Sequence, residues 1–229
     1  MNLSRNEYIP ALKYDWLTSL YDPILRWSLR EMAFKRHLVE QADIQDGHQV
    51  LDLGCGTATL TVLIKQRHPD AVVFGLDADP RVLDIARRKV RQAGLKIGLH
   101  QCLAFDAPFL SGFFERVVSS LFFHHLTLEN KRRTLEEIHR ILKPEGEVHI
   151  ADWGRPRNLL MRIAFLPVQI LDGFQTTADS VNGMLPDLMR ETGFEDVRTT
   201  AEYNTFLGTL SLYSGRKAGW QPESQACGL

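Results

Sequence analysis

Val50-Leu51-Asp52-Leu53-Gly54-Cys55-Gly56-Thr57-Ala58 reads as an apolar strand running into a glycine turn just before a helix. Glycines at 54 and 56 let the backbone turn sharply and let a ligand come close to it. Taken alone, such a loop serves several nucleotide-like cofactors. A dinucleotide fingerprint asks for glycine at the sixth place of GxGxxG, where this chain has Thr59, and an acidic residue, Asp52, stands before the first glycine. Both departures weaken a nicotinamide oxidoreductase reading, and no hydride-transfer constellation is recognised. The next apolar run, Val73-Phe74-Gly75-Leu76-Asp77, ends in a carboxylate 25 residues beyond Asp52, at the place where a ribose would lie. Asp79, next to Pro80, reads instead as a helix cap.

Outward from this core, short apolar runs at 50–53, 72–76, 97–100, 117–121 and 148–151 alternate with amphipathic stretches, the pattern of a parallel sheet with crossover helices. One helix starts at Arg81 and ends at Gly94; another covers 128–142 and stops before Pro144 and Gly146. Residues 1–46 form a helical cap and 47–218 the catalytic domain. Within the latter, 154–181 is a lid-like insertion with Leu159, Leu160, Ile163, Leu166, Ile170 and Phe174 at helical spacing. A short helix over 185–191, two last strands over 196–203 and 206–214, and a loose tail over 219–229 complete the chain.

Lys and Arg total 27 against 28 Asp and Glu, a net charge of −1 that draws the chain to neither nucleic acid nor anionic lipid. Three widely spaced cysteines, Cys55, Cys102 and Cys227, without a CxxC pair argue against a disulfide framework and a zinc site. With no secretory signal and no run near the roughly 18 apolar residues of a membrane span, the expectation is a cytoplasmic protein. The basic clusters 87–91 and 131–133 read as solvated helix faces. Arg155, Arg157 and Arg162 flank the lid and leave room for peripheral contact with a membrane.

DLGCGT at 52–57, GLDADP at 75–80, SSLFFHHL at 119–126 and LKPEGEVHIAD at 142–152 resemble class I S-adenosylmethionine-dependent methyltransferases. The likeness runs over about residues 35–152 and is nearest to the quinone-biosynthesis-like small-molecule enzymes. It implies a Rossmann-like α/β fold, a mostly parallel seven-stranded sheet with helices on both faces. It also implies that Asp52, Gly54 and Gly56 border the methionine part of the cofactor, with Cys55 and Ser119 also among the cofactor-binding residues. Asp77 then holds the ribose and Ala78 flanks the adenine. Where the family often has an acid for the adenine amino group, this chain has Leu103, so the backbone of Leu103 and Ala104 or the carboxylate of Asp106 is expected there. Ala58, glycine in many relatives, is a modest change. Cys55 reads as a packing residue.

His124 and His125 follow the fourth strand at the edge where open α/β sheets place ligands, and either is a candidate base or substrate-positioning group. Neighbours on a strand point to opposite faces, so no metal is expected. Tyr14, Tyr21, Trp153 and Phe174 are the candidate walls of an apolar pocket for a small acceptor, aromatic, quinone-like or lipid-like. Nucleic acid is not expected, since SSLFFHH stands where a base-binding NPPY-like motif would. A monomer or homodimer is expected. A non-catalytic S-adenosylmethionine-binding protein is the competing reading from another class.

Overall fold

A computed structural model describes residues 31–166, 169, 182–205 and 208–219. The expected cap before residue 31, most of the lid beyond 166 and the tail beyond 219 lie outside the described residues, and with them Tyr14, Tyr21 and Phe174. In chain order the elements are α1 (Glu31–Gln41), β1 (Gln49–Leu53), α2 (Thr59–Arg67), β2 (Val72–Asp77), α3 (Pro80–Gln92), β3 (Gly98–Gln101) and β4 (Phe114–Ser120). A 3₁₀ turn (Phe123–His125), α4 (Leu128–Ile141), β5 (Leu142–Trp153), α5 (Leu159–Ala164), α6 (Leu185–Glu191), β6 (Phe194–Thr205) and β7 (Gly208–Lys217) follow.

The strands form one seven-stranded sheet in the order β3-β2-β1-β4-β5-β7-β6, parallel except for β7, which pairs antiparallel with β5 and β6. Alternation explains why both faces are covered. Val50, Val73, Val118 and Ala151 face a core made with α1 and α2. Their neighbours Leu51, Val117 and Ile150 face a second core made with α4 and α6. Each such aliphatic side chain, fully buried, is worth roughly 1.5–3 kcal/mol. The strand order reverses between β1 and β4, which run parallel, and such a switch point opens a crevice at the carboxyl ends of the strands.

Local chemistry sets the helix ends. The Asp79 carboxylate accepts the Arg81 N–H at 2.8 Å, Pro80 occupies the first turn, and Leu83, Ala86 and Val90 form the buried stripe. Thr127 caps α4 by accepting the Asn130 N–H. As expected, α4 stops before Pro144, at Ile141, and the chain passes straight into β5 at Leu142, which pairs with Phe114 on β4.

One expectation is corrected. The basic clusters are not uniformly solvated. Lys131 is 2% exposed, Arg133 lies over the Phe105 ring, and Lys89 Nζ donates to the Thr57 and Thr59 hydroxyls at 3.1 and 2.8 Å. Long stems let these cations reach partners that helical spacing cannot reveal. In α5 the helical spacing does not mark a buried face: Leu159 and Ile163 are 75% and 55% exposed, while Phe165 packs on Trp153. Among the described residues no helix is long and apolar enough to cross a membrane.

Candidate active site

Gly54, Gly56 and Ala58 all take positive φ, at 71°, 51° and 61°. Ala58 is therefore more than a modest change, because a side chain in the left-handed region costs of order 1 kcal/mol. The loop is fastened to β2: the Gly54 and Cys55 N–H groups both donate to the Leu76 carbonyl, at 2.8 and 2.9 Å. A Cβ on Gly54 would meet the Phe122 ring at 2.3 Å, whereas one on Gly56 would meet nothing within 4 Å. Gly54 thus accommodates the chain's own aromatic ring, and Gly56 is the glycine whose backbone lies open.

The Asp77 carboxylate binds that loop directly, accepting the Gly56 N–H through Oδ2 and the Asp79 N–H through Oδ1, both at 2.9 Å. Burial is the main influence on it and raises it above the usual carboxylate range. Each oxygen keeps a second lone pair, so the group can accept a pair of vicinal hydroxyls. The Cys102 N–H donates to the Asp77 carbonyl, bringing the turn after β3 alongside. In that turn the Leu103 carbonyl accepts the Asp106 N–H and Ala104 sinks into the core, while the Asp106 side chain stays exposed.

Asp52 differs from its neighbours. It is buried on the side of β1 covered by α1 and α2, and it accepts the Thr61 hydroxyl at 2.6 Å. Burial pushes its carboxyl up to about 6, against that hydrogen bond and the charge of Lys35. The folded protein therefore holds this proton between about pH 4 and 6, where the unfolded chain has released it, and stability falls as pH rises through that window. Moving the carboxyl from 3.8 to about 6 is worth about 3 kcal/mol. Asp52→Asn is expected to raise the melting temperature near neutral pH and to flatten its pH dependence below 6. Equal melting temperatures for the two proteins across the range would refute this. Cys55 is also buried, and burial holds its thiol well above its usual value, so it stays protonated and packs. Ser119 is buried too, its hydroxyl donating to the Leu53 carbonyl at 2.8 Å and tying β4 to β1.

The two histidines are not on a strand. They sit in the 3₁₀ turn, so their rings lie 4.0 Å apart instead of on opposite faces. Among the described residues no group of three His, Cys, Asp or Glu side chains is placed to hold a metal. His124 is 3% exposed and its Nδ1 lies 2.7 Å from Asp152 Oδ1. Asp152 Oδ2 accepts the N–H groups of Phe122, Phe123 and His124, and Oδ1 also accepts the N–H of Trp153. Burial raises the Asp152 carboxyl, but the charge and hydrogen bond of His124 and the Trp153 N–H outweigh it and hold it below the usual range. An ionised carboxylate only accepts, so Nδ1 carries the proton of that hydrogen bond. Burial first, then the charge of His124, keep His125 well below 6.5 and hence neutral at neutral pH. Trp153 is buried between His124 and Phe165.

Asp152, the group that organises this turn, is absent from the sequence expectations. Its signal was an acid closing an otherwise apolar strand. A YxxxK spacing does occur, at Tyr213 to Lys217, but it lies along β7, and Lys217 Nζ donates to the His139 and Leu142 carbonyls. It forms no hydride-transfer site.

A Rossmann-like sheet, a glycine loop held by the β2 carboxylate and a closed turn after β4 define the class: an S-adenosylmethionine-dependent methyltransferase. The family described as methyltransferase domain matches residues 50–146. The chain is 33% identical to an uncharacterized methyltransferase of Synechocystis sp. over 192 residues, 82% of this chain and 86% of the other. It is 30% identical to the ubiquinone/menaquinone biosynthesis C-methyltransferase UbiE of Stenotrophomonas maltophilia over 207 residues, 81% of this chain and 79% of that one. The crystal structure of the S-adenosylmethionine-dependent methyltransferase SibL aligns with a TM-score of 0.68 at 25% identity, covering 87% of this chain and 58% of that one. The chain belongs to the class I S-adenosylmethionine-dependent methyltransferases. It is an enzyme that methylates a small molecule.

Proposed function

We propose that the acceptor is an apolar small molecule with an acidic hydroxyl, a hydroquinone or related phenol, and that His124 is the base that receives its proton. The observation that carries this reading is the buried Asp152–His124 pair at the carboxyl edge of the sheet. A likeness to UbiE over four-fifths of the chain supports the quinone-like class. When bound, S-adenosylmethionine supplies an electrophilic methyl group on a sulfonium. Asp77 takes the ribose hydroxyls, Gly54, Cys55 and Gly56 border the methionine end, and Ala78, Leu103 and Ala104 flank the adenine. Asp52 and Ser119 act from beneath, holding the loop and β4 in register.

His124 Nε2 accepts the hydroxyl proton as the oxygen or ring carbon attacks in line, and Asp152 stabilises the imidazolium that forms. Phe122 and Trp153, beside the turn, keep water from the acceptor. Asp77→Ala removes a charged acceptor and is expected to weaken S-adenosylmethionine binding by roughly tenfold to a hundredfold, as titration calorimetry reads. Unchanged affinity would move the ribose site elsewhere.

The test of the acceptor class is transfer of label from methyl-labelled S-adenosylmethionine into a host extract, fractionated into apolar small molecules, polar small molecules and macromolecules. Label in the apolar fraction, and into a purified hydroquinone, is the expected result. Label confined to the polar or macromolecular fraction would overturn the acceptor class.

A further inference from the structure

Helix α1 runs opposite to the parallel strands. At its end the Ala42 carbonyl accepts Arg116 Nε from early β4, and Gln41 Nε2 reaches the Tyr213 carbonyl and His149 Nδ1. Nearer its start, His37 Nδ1 lies 2.7 Å from the Tyr203 hydroxyl. Tyr203 and Trp153, the last residue of β5, both pair with Leu210. At about 1.5 Å of rise per residue, the first turn of α1 therefore stands beyond the carboxyl ends of the strands, on the face that Asp52 shares with Val50. Glu31 and Lys35, one turn apart, are ion-paired there, only 5% and 9% exposed.

Burying an ion pair costs several kcal/mol per ion, and such a pair is often no more stabilising than apolar residues of the same size. Phe34 and Leu38 already fasten this helix to the core. The pair's position suits a different task. The cofactor's methionine end is a zwitterion, and the loop it borders follows β1 at the same carboxyl edge of the sheet; Lys35 is close enough for its charge to act on Asp52.

We propose that Glu31 and Lys35 recognise the amino-acid end of S-adenosylmethionine, Lys35 Nζ binding its α-carboxylate and the Glu31 carboxylate its α-ammonium. The two charges satisfy each other across one helical turn, and the incoming zwitterion completes a four-charge array. The inference rests on the loop at 52–56 being the methionine end of the site.

Titration calorimetry with two ligands tests it. S-adenosylhomocysteine carries the amino-acid end; 5′-methylthioadenosine shares its adenosine and thioether but lacks that end. Lys35→Gln is expected to weaken S-adenosylhomocysteine by about tenfold to a hundredfold and to leave 5′-methylthioadenosine unchanged, with Lys35→Arg recovering most of the loss. Equal weakening of both ligands, or none for S-adenosylhomocysteine, would overturn it. Should Lys35→Gln not fold, Glu31→Gln decides by the same selective loss. Asp77→Ala is the control, expected to weaken both ligands alike. If it spares both, the site reading fails; if it weakens both while Lys35→Gln spares S-adenosylhomocysteine, only the role of the pair fails.

Discussion

His124→Ala lowers the turnover of methyl transfer by on the order of 10²–10⁴-fold, the range that a positioned base contributes, while S-adenosylhomocysteine binding stays as in the wild type. The imidazole is held by one hydrogen bond at 2.7 Å to a carboxylate that four backbone N–H groups also bind. That carboxylate has no freedom to turn away, so the ring keeps its orientation and its tautomer. Asp152→Asn separates positioning from mere packing. The amide fills the same volume, but only one of its ends accepts. With its oxygen toward the turn, its NH₂ faces the Trp153 N–H and His124 Nδ1, and the proton is driven to Nε2. The expected outcome is a turnover loss close to that of His124→Ala with S-adenosylhomocysteine binding unchanged. A packing role alone would lower the melting temperature and leave turnover at temperatures below it in place. Unchanged turnover in His124→Ala would remove the base from the mechanism.

Gly54→Ala is the second large effect, and it acts on the fold as much as on the site. At φ +71° an alanine costs roughly 1–2 kcal/mol. The new methyl carbon would also stand 2.3 Å from two atoms of the Phe122 ring, and that ring belongs to the turn that Asp152 holds. Together these come to about 3 kcal/mol, overpacking included, or roughly 6–12 °C in melting temperature for a domain of this size. Differential scanning calorimetry reads the shift, and the double variant Gly54→Ala/Phe122→Ala is expected to regain part of it, because the two sites are in contact. A change under about 2 °C in the single variant would show that the ring yields easily. The corresponding change at Gly56 carries the backbone cost without the clash, since nothing stands within 4 Å of its added Cβ.

These two sites show where the sequence was legible and where it was not. The succession of elements along the chain and the cofactor loop were readable because they are local. The apolar runs that end at Leu53 and Leu76, the glycines that follow the first and the Asp79–Pro80 cap each act within a few residues of themselves. Periodicity served well wherever one face of an element is buried. It carried no burial signal at Leu159 and Ile163 of α5, which turn outward, and it failed at Lys89 and Lys131, whose long side chains reach positions that a helical pattern does not announce. The histidines were placed on the correct edge of the sheet but in the wrong local geometry. A 3₁₀ turn brings adjacent rings together, and its cause, Asp152, lies 28 residues further along.

By itself the sequence determined the class of fold, the order of the elements and the cofactor, since each is encoded in short segments whose backbone preferences and glycine positions act without help from the rest of the chain. Only the tertiary structure decided which carboxylate orients which histidine, that Asp52 is buried and accepts the Thr61 hydroxyl, and that the Glu31–Lys35 pair is buried within reach of the charge on Asp52. Those relations join β5 to the turn after β4 and α1 to β1. They exist only once parallel pairing and helix packing have brought distant segments within hydrogen-bonding reach, and no local pattern records that distance.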